Sequence, residues 1–99
     1  MRLKYDEMAN ALYIYLQDGV KPVGGEEVDP GTLVDLDEEG RVIGIEILNP
    51  GRVWPLDEIV DRYEIDLDDV LALRSLAPFN KRFPFGVKNT AKLAVARFN

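Results

Sequence analysis

The sequence predicts an α+β fold, in which a small antiparallel sheet of three to four strands is covered on one face by one or two C-terminal helices. The first half of the chain alternates apolar and polar residues with the two-residue period of β-strands. The stretch 55–76 instead repeats apolar residues at the three- and four-residue spacing of helices. Because all strand patterns precede all helix patterns, the order favours α+β over α/β.

The first two strands flank a short polar segment. Residues 2–5 alternate between apolar and charged side chains, and 11–16 alternate in the same way. Between these segments, Asp6 and Asn10 can hydrogen-bond to nearby backbone groups, which favours a tight reversal of the chain. We therefore predict an N-terminal hairpin.

A second hairpin has the clearest pattern in the sequence. Strands at 32–37 and 41–48 flank a turn in which Gly40 can adopt the positive φ that short hairpin loops need. Glycine and proline interrupt the preceding segment, 20–31, so we expect at most a short edge strand near 26–28. Alternation in the two hairpins assigns a continuous apolar layer to one face: Leu3, Tyr5, Leu12, Ile14, Leu16, Val34, Leu36, Ile43, Ile45 and Ile47.

The second half of the chain predicts the cover for this layer. Pro55 and the acids that follow it mark a helix start. One apolar stripe follows at Leu56, Ile59, Val60 and Tyr63. A second helix is expected at 66–76. We therefore describe a single domain of 99 residues with a sheet (1–50), a helical cover (51–77) and a basic aromatic tail (78–99).

Charge is unevenly distributed along the chain. The formal net charge is −6, but residues 1–80 carry 7 basic and 18 acidic residues, whereas 81–99 carry five basic residues and no acid. Because an acidic body repels phosphate groups, we do not expect it to bind nucleic acid. The nearest acidic partner of the basic tail is its own body or that of a second copy.

The chain contains no cysteine and no histidine. Disulfides and thiolate metal sites are therefore excluded, and the usual general base of enzymes is missing. No phosphate-binding, dinucleotide-binding or hydrolase motif is present, and neither a run of about 18 apolar residues nor a signal-peptide core is found. We predict a cytoplasmic, non-enzymatic protein with no catalytic residue, no cofactor and no membrane association.

Two pairs of acids are weak candidates for a metal site. Asp6 and Glu7 precede the second strand, and Asp35 and Glu46 would approach each other across the second hairpin. Carboxylate oxygens suit Ca²⁺ or Mg²⁺, but a turn explains the first pair and a solvated sheet face explains the second. We therefore expect no metal and keep carboxylate metal binding as an alternative.

A second apolar set alternates onto the face opposite the core layer: Tyr13, Tyr15, Leu33, Val42 and Leu48. The outer face of a small sheet is normally polar, and apolar patches above a few hundred Å² seldom stay uncovered. This set therefore indicates an interface, either with a second chain or with the basic aromatic tail of the same chain. A tail exchanged between two copies would satisfy both alternatives.

Two motifs in the first half carry a family resemblance. Lys4-Tyr5-Asp6 is followed by Ala11-Leu12-Tyr13-Ile14, and the second hairpin ends in Gly44-Ile45-Glu46-Ile47-Leu48. With these motifs, residues 2–50 resemble domain of unknown function 2283, a family of small bacterial and archaeal proteins. Asn10 stands where that family usually has an acid.

The resemblance implies a small antiparallel sheet followed by a helix. It transfers no catalytic residue, because the family has no established activity, and such proteins are often encoded beside small toxin-like partners. From the apolar set with Tyr13 and Tyr15, we expect a protein-interaction module that forms a homodimer or higher oligomer. The alternative is an antitoxin-like binding protein for a small basic partner.

Overall fold

The structure, a computed structural model, describes residues 1–82, with side chains described up to residue 76. Its elements are β1 (Arg2–Asp6), β2 (Ala11–Tyr15), β3 (Gly24–Asp29), β4 (Thr32–Leu36), β5 (Val42–Leu48), α1 (Leu56–Arg62) and α2 (Leu67–Arg82). The strands form one antiparallel sheet in the order β1-β2-β5-β4-β3. The last of these five strands, β5, therefore lies in the middle of the sheet and joins two hairpins.

The α+β architecture is confirmed, but the predicted number of strands is wrong, because the sheet has five strands and not three to four. The additional pairing comes from β3, which is six residues long instead of a short segment near 26–28. Pattern rules treat Gly24 and Gly25 as breakers, yet both pair with β4. An edge strand is held by backbone hydrogen bonds on one side, so it tolerates residues that have no side chain to pack.

The inner face of the sheet carries the core. One row of directly paired residues crosses four strands as Leu3, Ile14, Ile45 and Val34. All four side chains are at most 2% exposed, and burying an aliphatic side chain of this size stabilises a fold by about 1.5–3 kcal/mol. The central part of the predicted apolar layer is therefore confirmed.

Both helices pack on the inner face. Ile59 of α1 and Leu73 of α2 are fully buried and belong to the same core cluster as the inner-face strand residues. Trp54, in the segment that leads to α1, is also buried in this cluster, although the sequence pattern assigns it to no element. Asp57 and Glu58 lie in the first turn of α1, where acids interact favourably with the helix dipole.

The second helix is longer than the sequence predicts. Pattern rules end it at Leu76, because Pro78 lacks the amide hydrogen that a helix interior uses, but α2 continues to Arg82. The start of the predicted tail is therefore helical, and the rest of that prediction falls on residues 83–99, outside the described residues. Among residues 1–82, no helix has the length and apolar character needed to span a membrane.

Arg52 fixes the chain where it leaves the sheet for the helices. Its guanidinium donates to Thr32 Oγ1 (2.6 Å) and to the two carboxylate oxygens of Asp29 (3.2 and 3.3 Å), and its Nε donates to the Leu48 carbonyl (3.0 Å). Gly31, at φ +104°, lies against this group, since a Cβ atom there would come within 3.0 Å of the guanidinium. One side chain thus ties the β3–β4 hairpin to the end of β5.

One carboxylate holds the turn between β4 and β5. Asp37 Oδ1 accepts hydrogen bonds from the backbone N–H groups of Glu39 (2.8 Å) and Arg41 (2.9 Å), and Oδ2 accepts one from Arg41 Nε (3.3 Å). Gly40 has the predicted positive φ (+80°). The backbone hydrogen bond from Arg41, together with that from Glu39, lowers the pKa of Asp37, because both favour the charged carboxylate.

The packing of α1 on the sheet predicts the effect of a truncation in its buried face. We expect Ile59→Ala to lower the free energy of unfolding by about 2–5 kcal/mol, because it leaves a cavity in a fully buried position. Leu71→Ala is the control, since Leu71 is 59% exposed on α2, and it should change stability by no more than about 0.5 kcal/mol. Urea denaturation measures both, and equal small losses would show that α1 does not cover the core.

The lowered pKa of Asp37 predicts a pH-dependent contribution to stability. The charged carboxylate stabilises the folded state above the unfolded pKa of an aspartate, and this contribution is lost as the pH falls through the lower folded pKa. We expect Asp37→Asn to destabilise the protein at pH 7 and to differ much less from the parent at about pH 3. Glu38→Gln removes the same charge from an exposed neighbour in the turn and should have little effect at either pH. An equal loss for Asp37→Asn at both pH values contradicts this account.

Candidate functional site

The outer face of the sheet is the face opposite the helices. It carries most of the predicted interface residues. Strand register arranges its side chains in two rows that each cross all five strands. The first outer row consists of Lys4, Tyr13, Glu46, Leu33 and Glu27. The second outer row consists of Arg2, Tyr15, Gly44, Asp35 and Gly25.

Tyr13 and Tyr15 lie side by side on β2, and both are half-buried. The Cζ atom of Arg2 lies 4.0 Å from the ring centroid of Tyr15, which is a cation–π contact. The carboxylate of Glu46 beside Tyr13 raises the pKa of that phenol, because a neighbouring negative charge disfavours the phenolate. The two tyrosines therefore form an aromatic surface between edge strand β1, which carries Arg2 and Lys4, and strand β5, which carries Glu46.

Leu33 and Leu48 add aliphatic surface to the outer face. Leu33 lies in the first outer row on β4, and Leu48 pairs with Ala11 in the row beyond. Each leucine is 38% exposed. The structure therefore places both leucines on the face where the sequence predicts them.

Val42 is not on the outer face, so its assignment to the interface set is wrong. Register shifts between Asp35 and Leu36: Asp35 pairs with Gly44, Leu36 pairs with Val42, and Ile43 is the additional residue of a β-bulge. Val42 therefore turns inward and is 1% exposed within the core cluster. Strict alternation cannot place residues on the far side of a bulge, because the additional residue inverts the assignment of faces.

Asp35 lies between two glycines in the second outer row. A Cβ atom on Gly44 would lie 3.3 Å from Asp35 Oδ2, and one on Gly25 would lie 3.6 Å from Asp35 Oδ1. The carboxylate thus lies close to the sheet backbone, and this partial burial raises the pKa of Asp35. The Asp35 side chain therefore occupies the space beside both glycines in which their own side chains would otherwise lie.

Charge on the outer face is divided between its two sides. The basic residues Arg2 and Lys4 lie on edge strand β1, whereas the acids Glu46, Asp35 and Glu27 lie on β5, β4 and β3. The sequence patterns do not connect the basic residues with the tyrosines. The length of the first turn does predict these contacts, however. Four turn residues between β1 and β2 place Arg2 opposite Tyr15 and Lys4 opposite Tyr13.

The acids before β2 form a turn. Asp6 Oδ1 accepts hydrogen bonds from the backbone N–H groups of Met8 (3.0 Å) and Ala9 (3.1 Å), which confirms the predicted reversal. Glu7 is exposed at the tip of this turn. The carboxylate of Asp6 therefore has a structural partner on the chain itself.

Asn10 links the first turn to the end of the sheet. Its side chain accepts a hydrogen bond from the Tyr5 hydroxyl (2.6 Å) and donates one to Asn49 Oδ1 (3.0 Å). Asn10 and Asn49 both have positive φ, at 49° and 52°, and the Asn49 N–H donates to the Asn10 carbonyl (2.8 Å). Asparagine tolerates this backbone conformation better than most residues, so it suits both positions. The hydrogen bonds between Asn10 and Asn49 fix the two turns relative to each other.

The four metal candidates do not come together. Asp6 and Glu7 lie at the end of β1, whereas Asp35 and Glu46 are diagonal neighbours on adjacent strands of the outer face. In the part of the chain that the structure describes, no group of three or more carboxylate, imidazole or thiolate side chains is arranged to hold a metal ion. Asp35 and Glu46 do share one face, as the sequence predicts.

An open groove lies at the opposite end of the sheet, between the β2–β3 loop and the β4–β5 turn. No sequence pattern predicts it. Its arginine, Arg41, is paired with Asp37 (3.3 Å) and Glu39 (2.9 Å), which also line the groove. Because Arg41 already has two carboxylate partners within the groove, we assign no chemistry to it.

The family comparison matches the boundaries of the sheet. The model of the family described as "Protein of unknown function (DUF2283)" matches residues 2–49, from the start of β1 to the residue after β5. No curated protein and no solved structure matches the chain. The resemblance of the two motifs is therefore confirmed: residues 2–49, which contain the whole sheet, belong to the DUF2283 family of proteins of unknown function.

Proposed function

We propose that this chain is a non-enzymatic protein-interaction module that forms a homodimer through the outer face of its sheet. The observation that carries the proposal is the composition of that face. Two half-buried tyrosines and two leucines that are each 38% exposed lie on it, while both helices pack on the other side. Tyrosine is enriched in protein interfaces, where a rigid ring supplies a large contact area together with a hydroxyl.

The polar groups of the outer face favour a protein partner over a chemical reaction. Glu46 pairs directly with Tyr13, Asp35 lies two strands from Tyr15 in the second outer row, and the chain has no histidine or cysteine to act with them. Basic and acidic residues lie on opposite sides of the face, so a second copy can match both signs. The cytoplasmic location expected from the sequence is part of this proposal.

The proposal predicts that truncation of the tyrosines weakens self-association. We expect Tyr13→Ala and Tyr15→Ala each to raise the dimer dissociation constant about 30-fold, which corresponds to the roughly 2 kcal/mol of an interface hot spot. Sedimentation velocity over a range of micromolar concentrations measures this change. Leu71→Ala, on the exposed surface of α2, is the control and should leave the dissociation constant unchanged. A parent protein that sediments as a monomer at every concentration would refute the homodimer.

A second candidate function is the binding of a small basic protein, as an antitoxin does. The acids Glu46, Asp35 and Glu27 on three neighbouring strands support it, because adjacent negative charges attract a cationic partner. Here the tyrosines would contact aliphatic and guanidinium groups of that partner.

This candidate predicts a charge-dependent capture. A tagged chain, mixed with lysate of its native host, should retain a small protein with an isoelectric point above about 9, identified by mass spectrometry. The variant carrying Asp35→Lys and Glu46→Lys should lose this protein, while Asp61→Lys on the exposed surface of α1 should retain it. Capture that is equal for all three chains argues against the acidic strands as its binding surface.

A further inference from the structure

We propose that the two copies pack outer face against outer face about a two-fold axis that runs parallel to the strands, between β2 and β5. This inference rests on the proposed homodimer and adds its geometry. It states which residue of one protomer meets which residue of its partner.

The direction of the axis follows from the charges on β1. We assign the aligned class of face-to-face sheet packing, in which the strands lie within about 30° of each other and not near a right angle, so an axis in the plane of the interface runs either along the strands or across them. An axis across the strands places β1 on the partner's β1, where Arg2 and Lys4 would face their own copies. An axis along the strands reverses the strand order and places β1 over acidic strands, so it avoids this repulsion.

The position of the axis follows from Glu46 and Leu33. An axis along β5 would oppose Glu46 with the partner's Glu46, and an axis beyond β5 would leave the basic residues of β1 without a partner strand. An axis along β2 would leave Leu33 uncovered. Only a position between β2 and β5 covers both tyrosines and Leu33 and separates the two copies of Glu46.

In this arrangement β1 faces the partner's β4, and β2 faces the partner's β5. Arg2 then meets the partner's Asp35, and Tyr15 lies over the partner's Gly44. Gly44 has no side chain, which permits close approach, and rotation of Asp35 towards the partner's Arg2 would clear the space that Asp35 Oδ2 now takes beside Gly44. In the first outer row, Tyr13 meets the partner's Glu46, whose carboxylate can accept the phenol hydrogen bond in place of Glu46 of the same chain.

The contacts of Arg2 and Asp35 within the described part of the molecule leave both side chains able to form the proposed ion pair. Among residues 1–76, no ion pair includes Asp35. Arg2 is paired with Asp18 at 3.1 Å, but both side chains are largely exposed, at 47% and 67%. An exposed ion pair contributes no more than about 1 kcal/mol, and the exposed cation–π contact of Arg2 with Tyr15 contributes about 0.5–1 kcal/mol, so the ion pair with the partner has to offset at most about 2 kcal/mol when Arg2 turns.

The size of the contact predicts a weak dimer. Four overlapping strands with a spacing of about 4.8 Å, each about five residues long, cover roughly 19 Å by 17 Å. This footprint of roughly 320 Å² per protomer, or about 650 Å² in total, lies below the range of standard specific interfaces, so we expect a transient dimer whose dissociation constant lies at the upper end of the micromolar range.

Charge reversal tests this geometry by complementation. Arg2→Glu places a carboxylate against the partner's Asp35 at two symmetric positions, and Asp35→Lys places an ammonium group against the partner's Arg2. Each variant alone should therefore dimerise at least 10-fold more weakly than the parent. An equimolar mixture should recover a heterodimer, because both cross-contacts then join opposite charges. Sedimentation velocity with one variant labelled by a fluorophore measures the recovery.

Matched controls carry the same charge changes on the helices. Arg62→Glu and Asp61→Lys lie on the exposed surface of α1. Each variant alone, and the two variants mixed, should self-associate as strongly as the parent. Thermal unfolding of every variant checks that each chain is folded.

Each remaining outcome overturns a defined part of the proposal. If Tyr15→Ala weakens the dimer but the mixture of charge variants does not recover it, the homodimer stands and the axis between β2 and β5 is wrong. Recovery by a mixture of Lys4→Glu and Glu27→Lys would instead assign the axis to β5. A monomeric parent protein overturns both the homodimer and its geometry.

Discussion

The structure depends on the insertion of β5 between β2 and β4. The first hairpin and the β3–β4 hairpin make no direct pairing in the described sheet, so the backbone hydrogen bonds of β5 hold the two halves together. Its inward side chains Ile45 and Ile47 are at most 2% exposed and lie at the centre of the core. Its outward residues Gly44 and Glu46 form the middle of the candidate site. One strand therefore determines both the continuity of the fold and the chemistry of its outer face.

Most of the fold could be predicted because strands with one buried face alternate clearly. The alternation in Leu12-Tyr13-Ile14-Tyr15 assigns the aliphatic residues inward and the tyrosines outward, and the structure agrees. Three features do not follow from the alternation of strand residues, each for a separate physical reason. The edge strand β3 is held by backbone pairing that needs no side-chain pattern, Val42 lies beyond a bulge, and α2 continues through Pro78.

The candidate site could be predicted only in part, because it depends on which strands are neighbours. The outward tyrosines and Leu33 follow from local alternation. The juxtaposition of Arg2 with Tyr15, and the isolation of Asp35 between two glycines, follow from strand order and register. Those are long-range properties, and a single sequence specifies them only through the turn lengths and the competition among possible pairings. Residue types on a face are therefore easier to predict than their arrangement across it.

The link between Asn10 and Asn49 has a consequence for biosynthesis. Asn49 follows the last residue of β5 and lies about halfway along the chain. All five strands and the link that joins their ends are therefore synthesised before α1 and α2. Until then, the apolar side that Ile59 and Leu73 later cover is open to water. Nascent chains with such uncovered surfaces aggregate or recruit chaperones. The helices that follow the family domain thus cover the apolar face only after the sheet has been synthesised. A shortened form that ends near residue 49 would need another protein surface to cover this face.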